Sequence, residues 1–478
     1  MATTSSEIRV QFRGEGSGVG ELTWGQLRVW RTCERTGRTL NLVIVTPVER
    51  PASAEEMASA LRFLVSRHPV FRTRLRFVDG RSGPRHPLQV VSESGELPLR
   101  VLDIDGGDDA DAVAEELRAK WQYTWFDYEH EFPIRMGVVR RSGNVTHTVV
   151  CYSHVMVDGA VLAALTGALL EPGVQVAPTP SPLELARAEG GPVGRRQSER
   201  SLRYWAEQIE RLPVRVSAGP VEPREPRFWE LVLYSPAMEL GLRAIAARRQ
   251  VLSPFVLLAA YAVAVARVMG NNPAVALPIV NNRFRPGLTG MVSQLSQPGI
   301  IVVDVADATF DQVVDRTWKA AMRASWCGYY DPVDCDRLFD DIAARRGEPL
   351  DIWWNYNDRR GMFGTDDGTL PSSEAELLAV MTEALPRTEM YWDGKADVAD
   401  GVLFVEAASR AIWPLPELPD GKVRDTRLPF VYLRITCDTH RFAPSQIEAF
   451  AREMEAVVVA AALDTAMATG IRRPPIAV

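Results

Sequence analysis

Six histidines and five cysteines are the side chains of this 478-residue sequence best suited to proton transfer or nucleophilic attack near neutral pH. One histidine stands apart by its setting. Ser153-His154-Val155-Met156-Val157-Asp158-Gly159 lies between a β-branched run, Thr146 to Tyr152, and an apolar helical run, Gly159 to Leu170. A loop at a strand-to-helix junction holds a reactive side chain on a rigid frame. A neutral imidazole there can accept a proton or bond and orient its carrier. The same residues also suit a plainer role, with Asp158 capping the helix, Gly159 giving room and His154 an ordinary loop residue. Spacing alone leaves both readings open.

The neighbouring nucleophiles compete poorly. Cys151 sits inside an apolar strand run, which argues against a Cys151–His154 pair. Ser153 and His154 are adjacent on an extended chain and point opposite ways, which argues against an acyl-serine. His86, His130 and His147 have no metal-ligand company, and no CxxC pair exists, so no metal site is expected. Trp353 and Trp354 stand together on an expected strand, so their rings face opposite sides. One is assigned to the core and the other to packing or to a substrate-lining surface. His130 and the aromatics Trp121, Tyr123, Trp125, Phe126 and Tyr128 are expected to pack the first half of the chain. Arg345-Arg346 and Arg359-Arg360 read as solvated pairs, with docking of an acidic partner as the other reading.

These residues need elements to hold them. Thr23 can cap a helix through Leu22 to Cys33, Asn41 to Val48 reads as a strand, and Ser53 to Val65 as a helix with Glu55 and Glu56 in its first turn. Phe71 to Val78 is an expected strand and Ala112 to Trp121 a helix. Five prolines between Pro172 and Pro192 mark 176–197 as a linker, dividing an N-terminal lobe (1–175) from a C-terminal lobe (198–478). The second half reads as helices Ser198 to Leu212, Pro236 to Arg249, Pro254 to Met269, Phe310 to Ser325 and Pro444 to Leu463. Strands are expected at Phe228 to Leu233, Ala274 to Val280, Gly299 to Val303, within Leu350 to Tyr356, Val402 to Glu406 and Phe430 to Thr436. Irregular alternation of both types gives an α/β fold class.

Composition narrows the function further. Apolar residues are 46% and charged residues 24%, an ordinary globular balance that excludes wholesale disorder. The formal net charge of −7 gives no global electrostatic case for nucleic acid or an anionic membrane. The longest apolar run, Phe255 to Ala266, is 12 residues against the roughly 20 a bilayer needs, so it reads as a buried core helix. Few, scattered cysteines and no signal-peptide pattern give the expectation of a reduced, cytoplasmic protein.

The loop SHVMVDG resembles the HHxxxDG signature of nonribosomal-peptide condensation domains, in the chloramphenicol-acetyltransferase-like superfamily. LTWGQLRVW resembles that family's N-terminal motif, RHPVFRTRL its Arg-His and Leu-Arg-Thr segment, and Tyr204-Trp205 the Tyr-Trp opening its second lobe. The stretch from Ser253 to Val292 resembles its long helix, strand and Asn-Arg segment, and CDTHRFAPSQIEAF its last strand and helix. The markers run from about 22 to 463 in family order. Two departures stand out: Ser153 replaces the first His, and Ser293-Gln294-Leu295-Ser296-Gln297 replaces a Gly-Phe-Phe-x-Asn segment of the tunnel floor.

The resemblance implies two similar lobes in a V, with a central tunnel and His154 midway. A donor carrier protein would deliver its acyl group on a phosphopantetheine arm, with no cofactor of the enzyme's own. An amine acceptor would attack the thioester and form an amide; an alcohol would form an ester. It further implies that His154 is the functional histidine, Gly159 N–H a donor to the oxyanion, and Ser153 structural, as are His68 and His440. Asp158 would pair with Arg283 of the second lobe, and Ser293, Ser296, Gln297, Trp353 or Trp354 would line the tunnel. No adenylating or carrier module is recognisable, so a free-standing enzyme using carriers in trans is expected. A noncatalytic recruitment protein and an acyl-coenzyme A acyltransferase are the alternatives.

Overall fold

The computed structural model describes residues 4–80, 83–170, 179–213, 222–361, 373–409 and 428–473. The chain forms two compact units, Met1–Gln197 with Asn281–Gln297, and Ser198–Val280 with Pro298–Val478.

The first unit is built on a five-stranded mixed sheet, in the order Thr4–Arg13, Ser94–Ile104, Ile134–Arg141, Asn144–Ser153, Asn41–Pro47. Only the Ser94–Ile104 and Ile134–Arg141 pair is parallel. Asn144–Ser153 is an inner strand, buried along nearly its whole length, which is why its sequence reads as continuous Val-Val-Cys-Tyr rather than alternating. Helix Ala110–Gln122 packs across it, and helix Ala54–Arg67 covers Thr4–Arg13. Asn41 Nδ2 donates to the Trp121 and Thr124 carbonyls, both at 2.8 Å, and fastens the edge strand to that helix. Gly18–Glu21, Gly83–Val91 and Thr73–Gly80 form a separate three-stranded sheet.

The second unit has its own sheet, with Ala274–Val280, Trp354–Asp358, Leu403–Ala408, Val431–Asp438, Phe228–Ser235 and Glu389–Ala396 in that order. Helices Pro236–Arg249, Ser253–Met269, Phe310–Cys327 and Pro444–Leu463 contribute to its core. Ser253–Met269 is buried throughout from Val256 to Ala266, as a helix apolar on all sides must be. Among the described residues no single helix is long and apolar enough to cross a membrane.

Two expectations about organisation change. The expected linker 176–197 contains helix Pro182–Gly190 and the start of helix Pro192–Glu210; residues 171–178 lie outside the described residues. Two of the prolines read as breakers, Pro182 and Pro192, are helix starters. Pro182 follows the N-cap Ser181, which forms a capping box with Glu184, and proline suits a first helical turn where no N–H is needed. Asn281–Gln297 was assigned to the C-terminal lobe, yet it packs as part of the first unit. Its hydrogen bonds to the His154 loop explain why.

Candidate functional site

The buried strand Asn144–Ser153 delivers its last residue to a tight turn. Ser153 N–H donates to the Pro133 carbonyl at 3.1 Å, and the Ser153 carbonyl accepts from Met156 N at 3.0 Å and Val157 N at 3.2 Å. Val155, Met156 and Val157 bury their side chains and anchor the turn, while His154 is only half-buried. The turn aims the Val157 carbonyl at His154, and Nδ1 lies 2.8 Å from that oxygen. A carbonyl can only accept, so Nδ1 carries the proton and Nε2 of the neutral ring carries the lone pair. The backbone thereby selects the tautomer in which Nε2 can act as a base.

Asp158 fixes the far end of the loop. It is 1% exposed. Its Oδ1 accepts from Ala160 N at 3.2 Å and caps the 3-10 turn Gly159–Val161. Its Oδ2 accepts from Arg283 Nη1 at 2.8 Å, Leu295 N at 3.0 Å, Ser296 N at 3.1 Å and Ser296 Oγ at 2.9 Å. A carboxylate this buried survives only with a countercharge and full hydrogen bonding, and it has both. Arg283 is equally committed, with Nη2 donating to the Met291 and Ser293 carbonyls at 3.1 and 2.9 Å. Asn282, at φ 57°, adds a bond from Nδ2 to the Leu295 carbonyl at 2.9 Å. Gly25 also abuts this segment; a Cβ there would lie 2.3 Å from the Gln294 carbonyl oxygen. Asp158 and Arg283 pair, and both belong to the first unit rather than to separate lobes. Gly159 N–H opens the 3-10 turn, a position with no acceptor inside the helix.

The other expected site residues are committed to packing or to hydrogen bonds within the protein. Ser153 is fully buried, and its Oγ shares a 2.6 Å hydrogen bond with Tyr128 Oη. Ser296 was read as tunnel lining, but its hydroxyl is consumed by Asp158. Ser293 and Gln297 are fully enclosed. Trp354 is a core residue of the second unit, edge-on to Phe442 at 5.4 Å, and Trp353 packs edge-on to Phe339 at 5.5 Å. Arg360 is a correction: it is 7% exposed and lies between Asp358 and Glu239, at 2.7 and 3.0 Å, rather than solvated. Arg359 pairs with Glu406 at 3.0 Å. His130 is exposed beside Asp127, and Tyr123 is 69% exposed with Trp125 also outside; only Trp121, Phe126 and Tyr128 of that group enter the core.

Cys151, His68, His147 and His86 sit in other settings. Burial pushes the Cys151 thiol up to about 12, so no thiolate forms near neutral pH. Burial, with Arg67 beside it, lowers His68 to about 4 and keeps it neutral. His147 pairs with Asp111 at 3.0 Å and His86 with Glu21. Among the described residues no group of three or more His, Cys, Asp or Glu side chains is placed to hold a metal ion.

A mixed α/β fold of this kind is shared with solved condensation domains. That of the monacolin K polyketide synthase MokA superposes with a TM-score of 0.70 at 15% identity, covering 95% of this chain and all of the other. The X-domain from teicoplanin biosynthesis superposes at 0.66 and 15%, covering 95% and 97%. The family model described as Condensation domain matches residues 18–333, and the chain belongs to that family. Among curated relatives, nonribosomal peptide synthetase kk1B of Curvularia clavata is 25% identical over 331 residues, 65% of this chain. Chondramide synthase cmdD of Chondromyces crocatus is 24% identical over 344 residues, 67% of this chain. The chain spans 2% and 8% of those two proteins' lengths.

The contact of Tyr128 with Ser153 and the allegiance of Asn281–Gln297 are not legible in the sequence. Nor is strand Thr4–Arg13 among the expected elements, though its Ile8, Val10 and Phe12 alternate at the strand period and could have announced it.

Proposed function

We propose that this condensation domain joins a carrier-bound acyl or aminoacyl thioester to an amine, forming an amide, with His154 as the group that receives the acceptor's proton. The observation that carries the reading is the 2.8 Å contact between His154 Nδ1 and the Val157 carbonyl, which leaves the lone pair on Nε2. The amine nitrogen attacks the thioester carbonyl and its proton passes to Nε2. The C–S bond then breaks, and the proton goes on to the departing thiolate of the phosphopantetheine arm. Gly159 N–H, at the start of its turn, is the backbone donor assigned to the oxyanion. Asp158 and Arg283 hold the loop without touching substrate. Phosphopantetheine arrives with the donor.

Mass spectrometry of the products formed from acyl-loaded carrier proteins and a panel of amines tests the reading. An amide product that is lost in His154→Ala supports it. Absence of product from every donor and amine refutes it. Hydroxyl acceptors in the same assay separate ester from amide formation, and acyl-coenzyme A donors test use of a free thioester. A second reading, recruitment of a partner enzyme without catalysis, is favoured by Ser153 and by the fold shared with the teicoplanin X-domain, which was solved in complex with OxyB. Tight binding of a carrier or tailoring enzyme by a catalytically silent protein would select it.

A further inference from the structure

We infer that Tyr128 is a positioning residue for His154, acting through Ser153 and Val157 to hold the imidazole as its Nδ1–H tautomer. This rests on the role proposed for His154. The first position of the family motif is serine here. Tyr128 reaches it from the turn after helix Ala110–Gln122, and its hydroxyl lies 2.6 Å from Ser153 Oγ.

Tyr128 is itself immobilised. Its carbonyl accepts from Leu75 N at 2.7 Å, and its ring packs edge-on to Trp30 at 5.6 Å and beside Phe126 at 6.0 Å. Burial raises the phenol well above its ordinary value, so it stays a neutral hydrogen-bonding hydroxyl.

The connection to the imidazole is three bonds long. Tyr128 Oη fixes Ser153 Oγ; the Ser153 carbonyl accepts from Val157 N at 3.2 Å; the Val157 carbonyl takes the His154 Nδ1 proton at 2.8 Å. Each link fixes the orientation of the next. Release of the first lets the turn open and the Val157 carbonyl swing, and the ring then loses the acceptor that favours Nδ1–H.

The test is 15N NMR of histidine-labelled full-length protein, comparing wild type with Tyr128→Phe and with Tyr128→Phe/Ser153→Ala. His154 signals are assigned by their loss in His154→Ala. Wild type is expected to show His154 as the Nδ1–H tautomer. Tyr128→Phe is expected to move a substantial fraction to Nε2–H and to lower kcat about tenfold, the lower end of what a misplaced base costs being smaller than its full 10²–10⁴ contribution, with KM for the acyl carrier unchanged. The double variant separates positioning from the cost of a stranded hydroxyl. Removing both polar partners relieves burial of the Ser153 hydroxyl, so melting recovers. Under the positioning role the tautomer shift and the kcat loss persist. Recovery of both together with melting, or a wild-type His154 signal in Tyr128→Phe, overturns the inference. Because the tautomer is read in the resting protein, absence of any acyl-transfer activity would refute the proposed reaction and leave this measurement intact.

Discussion

Replacing Asp158 by alanine removes the acceptor of five hydrogen bonds from four residues, Ala160, Arg283, Leu295 and Ser296. The gravest loss is electrostatic. The Arg283 side chain is only 12% exposed, and its guanidinium keeps its charge with no carboxylate against it. Breaking one side of a buried pair costs about 3–5 kcal/mol. The stranded Leu295 and Ser296 N–H groups push towards the upper end, since each buried unsatisfied donor costs about 1–3 kcal/mol before relaxation. For a unit near 200 residues this corresponds to a melting shift of roughly 6–20 °C, at about 2–4 °C per kcal/mol. Scanning calorimetry of wild type, Asp158→Ala, Arg283→Met and the double variant measures it. The double variant should recover much of the loss, because no lone charge remains, and the cycle should report a coupling of about 2–3 kcal/mol. Turnover should fall together with stability in Asp158→Ala. Unchanged melting alongside abolished turnover would refute the structural assignment and give Asp158 a direct chemical role.

Other outcomes follow from single residues. His154→Ala should lose on the order of a hundredfold in kcat, the usual contribution of a general base, with melting shifted by less than a few degrees; near-normal turnover would exclude it as base. Gly25→Ala lies inside helix Trp24–Thr36, where alanine would ordinarily stabilise by about 1 kcal/mol. Here its Cβ would meet the Gln294 carbonyl oxygen at 2.3 Å, so destabilisation of about 1–3 kcal/mol is expected in urea titrations. His68 has a folded-state value of about 4, below its unfolded value, so the unfolded chain binds the extra proton first. Its contribution is therefore present above about pH 6.5 and lost as pH falls towards 4, by up to about 3 kcal/mol. Denaturation at pH 7 and 4.5 should show wild type losing more stability than His68→Gln; equal losses would contradict it.

Much of this was legible locally. The Thr23 cap with Gln26, the inner strand before His154 and the buried helix Ser253–Met269 all follow from patterns within a dozen residues. The pairing of Asp158 with Arg283 came from the family motif, since 125 residues separate them and no periodicity connects them. What failed depends on distant partners. Arg359-Arg360 looks solvated by composition, but Glu239 and Glu406 arrive from other elements to neutralise it. A proline cluster reads as linker or as helix starts depending on whether Ser181 finds Glu184 in a helical turn. Ser153 reads as a lost histidine until Tyr128 is placed against it.

The segment Asn281–Gln297 has a consequence for synthesis on the ribosome. Asp158 emerges 137 residues before Leu295, one of the N–H groups it needs. At about 5–20 residues per second, that is a delay of roughly 7–27 s. Throughout it the first unit's sheet can assemble while the His154 turn lacks its clamp, and the two strands and the helices from Ser198 to Val280 are made in the interval. A chain cut after Gln197 is held permanently at that stage, with the carboxylate of Asp158 and no Arg283 to meet it. The first unit is thus finished by sequence that the second unit interrupts, and the nascent chain completes its histidine loop only after roughly the first third of the second unit has appeared.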